Sequence, residues 1–376
     1  MKSTHTEPGY MLQLDGLRAI AVIVVVLFHW TPEVKQTGLG GLGVQLFFIL
    51  SGYLITGILL QARAKAEGLG LGKAQIIKSF YARRFLRIFP LYYIVIVLAA
   101  LLGSVNVQRY LGWHLGYLTN FAIFKEGHWI GEASHLWSLA VEEQFYLLWP
   151  LVILYTPRRY LSITIAGFIL LAPFFKLTCL LLNVEESRLG VLPISSFHYL
   201  GAGSLLALYG KAIASKENKL WQDRLSLAVK ALGVAGLAGF VVLHFSTSKF
   251  INGLGWMVVK EFAVISLFVS ITLGAAHGFK GKAGSLLSSR PMVYVGQISY
   301  GLYLFHNFVP YFTKKLLQRF EINELDPVLS LSINTIALLA ISAASLHFLE
   351  SRLNRYKKHF PYVTAPHKSI NRIVVK

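Results

Sequence analysis

Residues 14–30 read LDGLRAIAVIVVVLFHW, an apolar run with an arginine, Arg18, near its start and a histidine, His29, near its end. The pattern predicts a membrane-type helix. Its two polar side chains are eleven residues apart, about three turns, so they leave nearly the same face roughly 16 Å apart along the axis. Ionisable groups inside a spanning helix are costly and mark sites or pathways. The plainer alternatives are an arginine that snorkels to the headgroups and a histidine hydrogen-bonded at the outer interface. These two residues alone leave both readings open.

The rest of the chain agrees with a membrane fold. Of 376 residues, 55% are hydrophobic and 14% charged, and apolar runs near the ~20 residues that cross a bilayer recur along the whole length. The fold class is all-α, a polytopic bundle of transmembrane helices. A formal net charge of +19 would suit a nucleic-acid partner, but the basic residues fall between apolar runs rather than on a soluble amphipathic domain. They mark topology. The single cysteine, Cys179, cannot form an intrachain disulfide, and no cleavable signal peptide is evident.

Charge alternation orders the spans. The 61–88 loop carries Arg63, Lys65, Lys73, Lys78, Arg83, Arg84 and Arg87 against Glu67 alone, which places it, and the N-terminus, in the cytoplasm. Spans are expected at about 14–30, 40–60, 89–104, 135–155, 160–182, 196–210, 226–245, 257–277, 292–313 and 328–349. The apolar stretch 111–124 is too short to cross and is read as re-entrant or interfacial. That makes ten spans with both termini cytoplasmic. Residues 1–349 form one membrane domain, and 350–376 form a basic cytoplasmic tail drawn to anionic lipid.

Several stretches carry more polar groups than anchoring needs. In the second span Gly43, Phe47 and Ser51 share a face where small residues let a helix or ligand approach. The formal G-x-G-x-x-G at 38–43 lacks a preceding strand and is discarded. Ser51 lacks a nucleophile elbow and is kept as a candidate for substrate binding. Arg83, Arg84 and Arg87 precede Pro90 within five residues, a density that suits phosphate recognition beyond topology. In SHLWSLAVEEQFYLLWP, His135, Ser138 and Glu142 share a face that Tyr146 and Trp149 continue. Glu143 points about 100° away, toward a basic partner on a neighbouring helix. Ser299, Tyr303 and His306 share a face in the ninth span. Depth counted along the helices puts His29, His306 and Glu142 in the outer half of the membrane and the arginines at the cytoplasmic side.

Taken in order, LDGLRAIAVIVVVLFH, GVQLFFILSGYLI, RRFLRIFPLYY, HLWSLAVEEQFYLLWP and ISYGLYLFH closely resemble the motifs of acyltransferase family 3, integral membrane proteins that O-acylate sugars and related hydroxyl compounds. The resemblance implies essential roles for Arg18 and His29. It aligns the family's glutamate with Glu142 and its basic motif with Arg83, Arg84 and Arg87. It implies acetyl-CoA or another acyl-CoA as cytoplasmic co-substrate, with no permanently bound cofactor and no metal. Many relatives carry a further C-terminal hydrolase-like domain, and the expectation here is the form without it.

The combined expectation is an O-acyltransferase of the plasma or inner membrane that acts on a cell-envelope polysaccharide or related acceptor. His29 serves as general base and Glu142 orients it, in the manner of a Ser-His-Asp triad. Arg18, Arg83, Arg84 and Arg87 hold the CoA, and Ser51, Ser138, Tyr303 and His306 contact the acceptor. A covalent acyl-histidine stays open. The competing class is a transporter or flippase whose buried charges line a path, which would carry inverted repeats with paired broken helices. Neither is visible in the sequence.

Overall fold

The computed structural model describes residues 11–364 apart from 38, 183, 185–188, 215–218, 246–253 and 323–324. Every regular element among them is helical. Seven helices among the described residues are long and apolar enough to cross a membrane. They are α1 (Leu12–Trp30), α2 (Gly41–Gly68), α3 (Ala74–Leu101), α5 (Leu161–Leu181), α7 (Lys219–Phe245), α8 (Leu254–His277) and α12 (Pro327–Ala344) with its continuation. Two more, α4 (Trp137–Tyr155) and α6 (Phe197–Ala214), occupy expected spans. α4 falls short in apolarity because Glu142, Glu143 and Gln144 interrupt it.

The ninth expected span, 292–313, is not one helix. It is divided into α9 (Arg290–Gln297), α10 (Ser299–Phe305) and α11 (Phe308–Gln318), with breaks at Ile298 and at His306–Asn307. At its N-terminal end Gly296 lies so close to Asp15 of α1 that a Cβ there would meet the Asp15 carbonyl. Close backbone approach fixes α9 against α1.

A second such contact joins α2 and α6. A Cβ on Gly52 would run into the Leu200 carbonyl, and one on Gly203 into that of Ile49, so only glycine lets these two helices touch backbone to backbone. Leu17, Val22, Ile49, Leu59, Tyr92, Leu136 and Trp149 are buried in one continuous core around these contacts.

The loop expected at 61–88 is mostly helix: α2 runs on to Gly68 and α3 starts at Ala74. Arg83, Arg84 and Arg87 therefore lie on a helix, and Pro90 sits within α3 rather than opening it. Between α3 and α4 the chain forms short helices at Val105–Arg109, Leu111–Leu115 and Thr119–Glu126, none long enough to cross. Tyr92 Oη donates to the His114 carbonyl at 2.8 Å and Gln144 Nε2 to that of Tyr117 at 2.9 Å, which pins this segment to α3 and α4.

The first part of the expected tail is described: after a π turn at Ser345–Glu350, residues 351–364 fold back on α3. Gln75 and Ser79 donate to the Pro361 carbonyl at 3.1 and 2.7 Å. Charged residues of three further segments, Glu185 and Glu186, Lys216, and Lys368, Arg372 and Lys376, lie outside the described residues.

Candidate active site

The break between α10 and α11 assembles the first half of the site. The last carbonyls of a helix have no partner within it, and those near the end of α10 are met by aromatic rings. His306 Nδ1 donates to the Tyr303 carbonyl at 2.6 Å, His135 Nε2 to that of Leu304 at 3.1 Å, and Trp30 Nε1 to that of His306 at 2.8 Å. Three histidines from three elements converge as a result. Ring centroids are 4.8 Å apart for His29 and His306, and 4.5 Å for His306 and His135. His135 and His306 are buried, whereas His29 is exposed.

His29 Nδ1 lies 2.8 Å from the Val25 carbonyl of its own helix. A carbonyl only accepts, so Nδ1 carries the proton and Nε2 presents a lone pair. The helix itself thus sets the tautomer a base requires. His306 is held in the same tautomer by Tyr303, and its Nε2 is buried without a hydrogen-bond partner. His135 Nδ1 lies 2.9 Å from the Glu132 carbonyl, with Asn307 Nδ2 3.2 Å away, and these contacts fix the third ring. The Ser138 hydroxyl bonds to the Tyr303 hydroxyl, which also donates to the His135 carbonyl at 2.9 Å.

Glu142 bonds to Ser51 in the structure rather than to His29. Its Oε1 accepts from Ser51 at 2.6 Å, and Arg84 and Arg18 lie within electrostatic range, while His29 is oriented by Val25. Glu142 of α4 lies level with Ser51 of α2 rather than with the His29 end of α1. On the face Gly43, Phe47 and Ser51, Gly43 packs on Ala21 and Val25, and Phe47 meets Tyr303 edge to face at 6.1 Å. Ser51, Ser138, Tyr303 and His306 accordingly divide into one residue beside Glu142 and three beside His135.

The arginines form the other half, and they are not equivalent. Arg84 lies over the Tyr146 ring at 3.5 Å with its Nε 3.7 Å from Glu143 Oε1, so the basic partner expected for Glu143 is Arg84. Arg83 donates to the carbonyls of Lys357 and Phe360 at 3.0 and 3.3 Å and stands over the Tyr362 ring. It ties down the folded-back tail. Arg87 is exposed, and its electrostatic neighbours are Arg18, Arg84, Tyr146 and Glu350. Arg18 is 3.6 Å from Asp15. Glu350, buried in the π turn and accepting from Ser345 at 2.6 Å, faces Arg87 and Arg18.

Sequence reasoning missed Trp30, Asn307, Glu350 and the break in the ninth run. The break had a signal in Gly296, Gly301 and Asn307 within one apolar segment. Glu350 had one as the only carboxylate in the last apolar run and the basic residues after it.

Comparison with known proteins gives the chain's family. Residues 11–347 match the family model of the acyltransferase domain. The chain is 28% identical to O-acetyltransferase OatA of Staphylococcus aureus (strain NCTC 8325 / PS 47) over 93% of its own length and 58% of the relative's. It is 27% identical to peptidoglycan O-acetyltransferase OatA of Listeria monocytogenes serovar 1/2a over 94% and 57%. The chain thus spans less than two thirds of these relatives, and no solved structure matches it. With the family model covering nearly the whole chain, from the start of α1 to the π turn that holds Glu350, this multi-pass membrane protein belongs to the acyltransferase family whose motifs it carries.

Proposed function

We propose that this protein is an O-acetyltransferase that takes an acetyl group from acetyl-CoA on the cytoplasmic side and delivers it to a hydroxyl of a cell-wall glycan, peptidoglycan being the acceptor named for one relative. The observation that carries the proposal is His29: an accessible imidazole whose Nε2 is left as a lone pair by the Val25 hydrogen bond. An acceptor hydroxyl attacks the thioester carbonyl as His29 Nε2 takes its proton. The C–S bond breaks and the thiolate leaves as CoA, taking a proton from the imidazolium or from water. His306 and His135 pack beside the base and keep its ring in place. The arginine end binds the phosphates, chiefly through Arg87 and Arg18, with Arg84 held in line by Glu143 and Tyr146.

In this reading the chain crosses the membrane ten times, with α4, α6 and the broken α9–α11 segment completing the seven apolar helices, and both termini are cytoplasmic. The donor then enters at the arginine end and the acceptor at the histidine end. Purified protein incubated with radiolabelled acetyl-CoA and soluble glycan fragments tests the proposal. Label in an alkali-labile ester with release of free CoA is the expected result. Movement of label across a vesicle without CoA release would replace it by transport.

A further inference from the structure

Beside the histidine end, yet separate from it, lies a cavity of about 180 Å³ whose walls include Gln45, Tyr199, Phe240, Lys260 and Glu261 from α2, α6, α7 and α8. It lies toward the His29 end of α1. His244 near the end of α7 reaches Thr37, in the short link between α1 and α2, by a 2.7 Å contact from Nε2 to the Thr37 carbonyl. The neighbouring Gly40 packs on Phe28, next to His29.

The wall chemistry is unusual for a contact between membrane helices. The Tyr199 hydroxyl and Gln45 Oε1 are buried with no hydrogen-bond partner, although Tyr199 is only 4% exposed. Buried polar atoms without partners are costly, and both belong to cavity-lining residues. Glu261 is already engaged: Lys176 donates to its Oε1, and His198 Nε2 stands 3.2 Å from its Oε2. Lys260 is the surplus cation. It donates to His244 Nδ1 at 2.9 Å and lies 5.6 Å from the Phe240 ring centre, and among the described residues no carboxylate pairs with it. Phe240 stacks on His244 at 5.2 Å and makes a flat aromatic wall.

An aromatic plane, a hydroxyl and an amide oxygen awaiting partners, and one unpaired cation form a set complementary to a sugar ring that carries an anionic group. The size suits one sugar unit and not a CoA. Building on the transfer reading, we propose that this cavity is the acceptor subsite and takes an acidic sugar residue. Phe240 meets the ring face, Tyr199 and Gln45 meet hydroxyl or amide groups, and Lys260 pairs with the anion.

The test uses the whole protein in phosphatidylcholine nanodiscs and measures equilibrium binding of N-acetylmuramic acid and N-acetylglucosamine, which differ by one carboxylate-bearing substituent. The acidic sugar should bind roughly tenfold tighter or more, as expected for a charge-assisted contact. Lys260→Met should erase that preference, and Tyr199→Phe should weaken both sugars. Equal binding of the two sugars, or an unchanged preference in Lys260→Met, overturns the proposal. So does loss of sugar binding when phosphatidylglycerol replaces part of the lipid, which would assign the cavity to a lipid headgroup. Acetyl-CoA cleavage by the unaltered protein is scored separately. Lysine-dependent sugar binding without cleavage removes the transfer reading and leaves the subsite, and cleavage without such binding does the reverse.

Discussion

The two ends of the site are built by opposite means. At the histidine end the side chains are anchored to main-chain carbonyls: His29 to Val25, His306 to Tyr303, His135 to Leu304. At the arginine end they are anchored mostly to one another across helices: Arg84 to Glu143 and Tyr146, Glu142 to Ser51, with Glu350 facing Arg87 and Arg18. A ring held by backbone keeps its tautomer whatever its neighbours do. A charge held by another charge depends on that partner surviving. Substitutions at the first end should therefore strike chemistry with little effect on folding, and those at the second should mix the two.

The sharpest break of this comparison is at His29. His29→Ala removes an accessible ring nitrogen that has no hydrogen-bond partner among the described residues, so transfer should fall by about 10²–10⁴, the range for losing a general base. Folding should persist, because His29 is exposed and its only hydrogen bond is within its own helix. Acetyl transfer and size-exclusion behaviour measured on one preparation check both halves. Near-normal transfer would remove the base assignment.

Glu142 sharpens the comparison next. Glu142→Gln keeps a partner for Ser51 but removes the charge that faces Arg84 and Arg18. The expected loss is about 3 kcal/mol of stability, the low end for breaking a buried pair because Glu142 keeps some solvent contact. Thermal unfolding followed by tryptophan fluorescence reads it directly. The pH–rate profile of the residual activity should match that of the unaltered protein, since Val25 and not Glu142 orients His29. A profile displaced along the pH axis would restore the triad-like coupling of Glu142 to His29.

That pair of residues also shows what the sequence can carry. The apolar runs located most helices to within a few residues, and helical periodicity assigned His29, Arg18 and Glu142 to faces. Periodicity acts along one helix. It cannot say at what height a neighbouring helix presents its side chains, so Glu142 was matched to His29 when Ser51 is its partner. Nor does it register the break at His306–Asn307, for which the signal is compositional, in Gly296, Gly301 and Asn307. Trp30 belongs to the same class: its role is to donate to a carbonyl that exists as an acceptor only because α10 ends there. Density of charge carries no partner either: three arginines in five residues read as one phosphate clamp, whereas Arg84 meets Glu143 and Arg83 the carbonyls of Lys357 and Phe360.

The smallest expected effects divide that triplet. If the arginine end is held by mutual pairing, its members should differ according to what each one touches. Arg87 is exposed and has cations as well as Glu350 around it, so it is the arginine with capacity left for a phosphate. Arg87→Ala should raise the KM for acetyl-CoA by roughly tenfold or more, the cost of a charge-assisted hydrogen bond, while the melting temperature changes little. Arg83 spends its guanidinium on the carbonyls of Lys357 and Phe360. Arg83→Ala should leave the KM for acetyl-CoA within a factor of a few and cost about 1 kcal/mol of stability, with faster proteolysis in the folded-back segment after residue 350 as the local sign. Both variants keep most of the basic charge of this segment, so orientation in the membrane should hold, and protease accessibility in intact cells checks that. Equal losses of donor affinity in the two variants would mean that the triplet acts as a single clamp, and the contrast between the backbone-held and charge-held ends would lose its second half.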